Sequence, residues 1–253
     1  MKIGIVQGRL SPPLNGFQEC PVDWEREFRL LSDLKLDHIE WIVTKQSFET
    51  NPIFSEDLFF YNISSICADN LIDKNIIDKE FLKKNLDPIC KSATENGIPV
   101  ITIPLLEESS MYNDLTRLEF IKHIKPYASK YPFITFSFEI ESHDNVIEDI
   151  IYSDPSFRLT YDTGNMTSLG VNHEYYIDKF FHKINNVHLK DRTFTSKTVW
   201  PGTGKTNFKQ IIDLLESKGY NENYTIQTAR GEDGKEIETI LEHKNIFERL
   251  HNG

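Results

Sequence analysis

Residues 133–139 read FITFSFE, an apolar, aromatic-rich run that closes on a carboxylate, Glu139. Three later runs end in the same way: LTYD on Asp162, NNVH on His188 and YTIQ on Gln227. Short runs rich in Ile, Val, Phe, Tyr and Thr are strand signals. The terminal residues follow one another at intervals of 23, 26 and 39 positions, close to the length of a strand–helix unit, about 30 residues. If consecutive strands lie side by side in a closed parallel sheet, these four ends converge on one cavity. Three oxygen donors and one imidazole nitrogen suit a hard or borderline divalent ion, Mg²⁺, Mn²⁺ or Co²⁺, with zinc admitted.

The same alternation runs outward in both directions. KIGIVQ, HIEWIV, NISSICA and IPVITIP read as four earlier strands, which brings the total to eight with FITFSFEI, FRLTYDT, NNVHLKD and YTIQTA. Between them lie helical stripes. Asp23 is placed to cap a helix whose inner face carries Trp24, Phe28 and Leu31. After Asn207, Phe208, Ile211, Ile212 and Leu215 recur at helical spacing, with Gly219 as the C-terminal stop. Further stripes run over 81–93, 118–128 (with Pro126 expected to kink it), 146–151 and 237–250. Strands apolar on both faces favour a parallel sheet buried under helices. The expected fold is a single (β/α)₈ TIM barrel over residues 1–253, an eight-stranded parallel sheet ringed by helices, with its site at the C-terminal strand ends. A doubly wound open sheet is the alternative, but no glycine-rich dinucleotide turn follows the first strand. Neither a low-complexity linker nor a charge block divides the chain.

Composition narrows the partners. Lys and Arg number 28 against 39 Asp and Glu, a formal charge of -11. Such a field repels nucleic acid and anionic membrane surfaces, so neither is expected as a partner. Cys20, Cys67 and Cys90 show no paired spacing, which suits a reducing compartment. MKIGIVQG lacks the basic segment and long apolar core of a secretory signal, and no apolar run approaches the roughly 18 residues of a membrane helix. A cytoplasmic location is the expectation.

In order along the chain, QGRLSPP, HIEW, ICAD, FEIE, YDTGN, VHLKD, PGTG and QTARGEDG resemble the xylose isomerase-like sugar (phosphate) isomerase/epimerase barrels, the superfamily that also holds the family 2 AP endonucleases. The resemblance spans nearly the full length. It implies a TIM barrel with one divalent metal ligated from strands five to eight, and a small sugar or sugar phosphate as partner. On that likeness Glu139 is metal ligand and base, Asp162 the strand-six ligand and His188 the strand-seven ligand. Gln227 stands where the sugar epimerases carry a glutamate, and Asn165 where many relatives carry histidine. Related barrels often pair, so a homodimer is expected as readily as a monomer.

The chemistry follows from the residues. A divalent ion chelating a carbonyl and the adjacent hydroxyl stabilises an ene-diolate as it forms, and a carboxylate within reach removes the neighbouring proton. Epimerisation needs a base on each face of the carbon; Gln227, a neutral amide, cannot be the second. Single-base aldose–ketose isomerisation fits the inventory, with epimerase or dehydratase chemistry on the same scaffold as alternatives. Glu141 lies two residues beyond Glu139, on the same strand face, and competes for the role of base. Lys190 is a candidate to protonate or hold an oxyanion, or else a salt-bridge partner. Arg192 and Arg230 are candidates to grip a substrate phosphate or carboxylate. Gln7, Arg9, Glu40 and Asp69 end earlier strands and line the mouth or pin loops; Trp41 and Trp200 offer apolar walls or core packing. PGTGKT lacks the first glycine of a phosphate loop, holding Val199 there, and reads as a flexible loop over the site. A metal-cluster DNA-repair endonuclease is disfavoured by the charge and by the scattered histidines. A non-catalytic sugar-binding barrel stays open.

Overall fold

The structure, a computed structural model, describes residues 1–14 and 18–253. Its main strands are β1 (Lys2–Val6), β2 (Ile39–Ile42), β3 (Ile63–Cys67), β4 (Val100–Leu105), β5 (Thr135–Ile140), β6 (Arg158–Asp162), β7 (Ile184–Leu189) and β8 (Asn223–Ile226). They close into a barrel in chain order, with β1 against β8. The closing pair is parallel, in register from Lys2 opposite Asn223 to Ile5 opposite Ile226. The helices are α1 (Trp24–Leu34), α2 (Lys79–Asn85), α3 (Asp87–Glu95), α4 (Asp114–Lys130), α5 (Asp144–Ile151), α6 (Thr163–Ser168), α7 (His173–Phe180), α8 (Phe208–Ser217) and α9 (Glu236–Asn252). This is the (β/α)₈ architecture read from the sequence. No helix among the described residues is long and apolar enough to cross a membrane.

Contacts group the chain into two compact units, Met1–Ile39 with Tyr161–Gly253, and Glu40–Thr160. In the first, Asp23 accepts from Arg26 N at 3.3 Å to start α1. The buried face of that helix carries Trp24 and Leu31, as the spacing predicts, together with Leu34 and Glu27, while the predicted Phe28 is only half-buried, edge-on to Trp24 at 6.1 Å. α8 buries Phe208, Ile211, Ile212 and Leu215 behind its Asn207 cap. Gly219, at φ +80, ends it: its N–H reaches Glu216 O at 2.9 Å and Tyr220 N reaches Leu215 O at 3.0 Å. Here a left-handed residue is required to turn the chain, and glycine adopts it at no steric cost.

In the second unit the predicted stripe over 81–93 is two helices rather than one. Leu86 interrupts them, and Pro88 sits in the first turn of α3, where its missing N–H costs nothing. Pro126, by contrast, lies inside α4, which continues to Lys130. Phe138 on β5 meets Phe120 of α4 and Phe157 edge-on, at 5.9 and 4.9 Å between centroids.

The strands depart from the expectation of two apolar faces. Both faces are buried, but they alternate. On β5, Phe136 and Phe138 pack outward against aromatic neighbours, so Ser137 and Glu139 point the other way. Short polar side chains on that inner face bond to one another: Ser137 to Thr160 at 2.6 Å and Ser65 to Glu40 at 2.7 Å. In the first unit, Thr225 donates to Asn186 at 3.0 Å and meets His38 at 3.1 Å. Burying these groups is tolerable because each finds a partner.

Candidate metal centre

Glu139 at the end of β5, Asp162 at the end of β6 and His188 on β7 each present a ligand atom, and these atoms all lie within 4.8 Å of one another. All three side chains are buried. The convergence read from the sequence is therefore present for three of the four predicted ligands.

Asp162 works at both ends of its carboxylate. It closes β6 and caps α6, with Oδ1 accepting the Asn165 N–H at 2.8 Å. Oδ2 faces the Lys190 ammonium at 2.7 Å, and both side chains are within 6% of full burial. Burial pushes the carboxyl pKa up, but Lys190, His188 and Arg192 outweigh that, so the group sits below the usual carboxylate range. Thr163 fixes the neighbouring backbone, donating to Lys190 O at 2.8 Å and accepting Lys190 N at 3.0 Å. Gly164 permits this approach: a β-carbon there would stand 2.9 Å from Lys190 Cγ and 3.1 Å from Arg192 Cγ. The glycine of YDTGN is thus a packing requirement. Asn165 contributes its backbone N–H to Asp162, and its side chain is buried.

Gln227 follows β8, with its N–H on Leu189 O at 3.0 Å. Its amide nitrogen donates to Gln18 Oε1 at 2.8 Å, which leaves the buried Oε1 without a hydrogen-bond partner among the described residues. An oxygen donor left open beside this strand end, two carboxylates and an imidazole fit a divalent ion with mixed oxygen and nitrogen preference.

Arg9 and Arg230 stand beside this strand end. Arg9 donates to Thr228 O at 2.9 Å and Arg230 to Ser11 O at 3.2 Å. Burial first, and then the neighbouring Arg230, lower the Arg9 pKa to about 9. The loop that carries Arg9 is held by Glu27, a residue the sequence reading missed: its carboxylate accepts Gly8 N at 2.7 Å, Leu10 N at 2.9 Å and Ser11 Oγ at 2.9 Å. The signal was a lone acid inside the apolar stripe of α1. Gln7, just after β1, is fully buried.

Asp191 was likewise missed, although it ends VHLKD. Its carboxylate accepts three backbone N–H groups: Gly202 and Gly204 at 2.8 Å each and Thr206 at 3.1 Å. The PGTG loop, expected to be flexible, is fastened at three points. Gly204 is needed there because a β-carbon would strike Asp191 Oδ1. Asp191–Arg192 also pairs antiparallel with Thr198–Val199, a ribbon that accounts for the long interval between His188 and Gln227. Arg192 is half-buried.

The remaining candidates are placed as follows. Trp200 is not buried; its indole donates to Glu242 at 3.2 Å and its ring meets His243 at 4.2 Å. Trp41 is fully buried and donates to Asn51 at 2.8 Å, a core role. Glu40 lies on β2 and accepts from Ser65. Glu141 lies one residue past β5, half-buried, with its carbonyl accepting the Tyr112 hydroxyl at 3.0 Å. Asp69 opens a short 3₁₀ turn after β3.

No protein-family model matches the sequence, and no curated protein does. Solved structures do share the fold. One is the IOLI protein with a bound zinc atom, at TM-score 0.75 and 16% identity over 100% of this chain and 98% of that one. A second is D-psicose 3-epimerase with D-tagatose from Clostridium cellulolyticum H10, at TM-score 0.73 and 12% identity over 99% of each chain. A third is 3-keto-D-glucoside 4-epimerase from E. coli in its apo form, at TM-score 0.68 and 14% identity over 100% of each chain. The barrel is the one that xylose isomerase-like and sugar phosphate isomerase/epimerase structures have.

Proposed function

We propose that the protein is a divalent-metal-dependent isomerase of a small sugar or sugar phosphate. The observation that carries this reading is the buried set of Glu139, Asp162 and His188, with ligand atoms within 4.8 Å of one another. The proposed ligands are these three and the carbonyl oxygen of Gln227. A bound divalent ion would polarise a substrate carbonyl and its adjacent hydroxyl. The barrel shared with a zinc-holding protein and with two sugar epimerases supports both the ion and the substrate class.

The chain's own residues then divide the work. Glu139 ends its strand among the ligands, and its carboxylate is the base that takes the proton from the carbon beside the carbonyl and returns it to the neighbouring one. Asp162 cannot swing freely, because its second oxygen holds α6 by the Asn165 N–H; it orients. Lys190, anchored by Thr163, supplies positive charge at the substrate oxygen. Arg9, Arg192 and Arg230 are the candidate grips for an anionic group on the substrate. Gln227 cannot supply a second base, because an amide neither accepts nor releases a proton at working pH. One base on one face favours isomerisation over two-base epimerisation.

The test is incubation with a panel of sugars and sugar phosphates in deuterium oxide with Mn²⁺. Deuterium is expected at the carbon next to the carbonyl, and the label is expected to disappear with Glu139→Gln. Undiminished exchange in that variant would remove Glu139 from proton transfer.

A further inference from the structure

Asp162 has two oxygens and three claimants. Oδ1 is committed to the Asn165 N–H at 2.8 Å, and turning it away would uncap α6. Oδ2 is therefore the oxygen a metal ion would take, and the Lys190 ammonium stands on it at 2.7 Å. Nothing about this contact is incidental to a long surface side chain. The Lys190 backbone is clamped by Thr163 at both its N–H and its carbonyl, and a β-carbon at Gly164 would stand 2.9 Å from its Cγ.

We propose that Lys190 is a built-in placeholder for the divalent ion: its ammonium holds Asp162 Oδ2 in the metal-free protein and leaves that oxygen when the ion binds. The inference rests on the metal-centre reading above. The Lys190 ammonium stands on Asp162 Oδ2 beside the second buried carboxylate, Glu139, with Arg192 adding positive charge nearby. Without the ammonium, two buried carboxylates lie close together, which is costly in a site removed from water. With both the ammonium and a divalent ion on one oxygen, two cations meet at short range, which is costly again. Exchange of one cation for the other avoids both. A lysine suits the role because its charge sits on a flexible four-carbon stem. Once displaced, the ammonium is free to meet a substrate oxygen, so metal loading and substrate readiness are coupled.

The experiment is calorimetric titration of the full chain with Mn²⁺, for the wild type, Lys190→Met and Lys190→Arg. Removing the competitor is expected to tighten Mn²⁺ binding about ten-fold or more in the Met variant, the scale of a modest coupling between sites, while Arg stays near the wild type. The metal-free Met variant is expected to melt below the wild type and to recover on adding Mn²⁺. Equal or weaker Mn²⁺ binding by the Met variant would overturn the placeholder role. Should that variant not fold without metal, wild-type crystals grown with Mn²⁺ decide the matter: Lys190 Nζ moved off Asp162 Oδ2 supports the exchange, and an intact ion pair beside a bound ion refutes it. Absence of Mn²⁺ binding in the wild type and both variants would instead remove the metal centre itself, and the inference with it.

Discussion

Acid should weaken the fold through buried histidines, and the share of one of them, His243, can be isolated. His243 on α9 is fully buried, with Nδ1 at 2.6 Å from Thr228 Oγ1 and its ring against Trp200. Burial first, and then the nearby Arg9 cation, lower its pKa from 6.5 to about 4. The unfolded chain therefore takes up a proton near the ordinary value, while the folded one refuses it until about 4. Protons bound by the unfolded state favour unfolding, so the stability is intact above 6.5, falls as pH drops below it, and levels off near 4. At about pH 5.5 the unfolded imidazole is protonated ten to one, and the loss relative to about pH 8 is roughly 1.4 kcal/mol. His243→Gln keeps a hydrogen-bonding group but does not titrate. Urea unfolding of both proteins at the two pH values reads the effect, since carboxylates elsewhere titrate alike in each. The stability gap between wild type and variant should change by about 1–2 kcal/mol between those pH values, with the wild type losing more on acidification. A gap that stays constant would refute the assignment of this acid response to His243.

Asp191→Asn should destabilise the protein by about 2–4 kcal/mol, because an amide replaces a charged acceptor of three backbone N–H groups with a group that also donates. Hydrogen exchange should then rise first in residues 201–206, and unchanged protection there would argue against the anchoring role. Gly164→Ala should lower the melting temperature, with an overpacking cost of about 1–3 kcal/mol, since its β-carbon would press on Lys190 Cγ at 2.9 Å; a neutral substitution would mean that the Lys190 stem yields without loss.

The barrel and the convergence of Glu139, Asp162 and His188 were legible because they depend on short patterns. A strand end followed by a helix, repeated at steady intervals, places Glu139, Asp162 and His188 together whatever the intervening loops do. The Asn207 cap and the Gly219 stop of α8 were equally local and stand as read. What escaped the sequence depends on partners distant in the chain. Glu27 looks like an error in the apolar face of α1 until the β1 loop folds over it and offers two N–H groups and a hydroxyl. Asp191 looks like a strand-end acid and is instead the peg of a loop up to fifteen residues later. The polar inner face hid because Ser and Thr between Phe and Ile read as tolerated strand residues, although their inward alternation makes a bonded interior. Lys190 reads as a cation able to meet an oxyanion or a carboxylate, but its hold on Asp162 Oδ2 follows from the turn into α6, which commits Oδ1 to the Asn165 N–H.

The measurement closest to the central claim is anomalous scattering from crystals grown with Mn²⁺. One strong peak is predicted between the β5, β6 and β7 ends, at about 2.0–2.3 Å from Glu139, Asp162 and His188. A crystal in which the carboxylates of Glu139 and Asp162 turn away from each other, with no anomalous peak between them, would contradict the account.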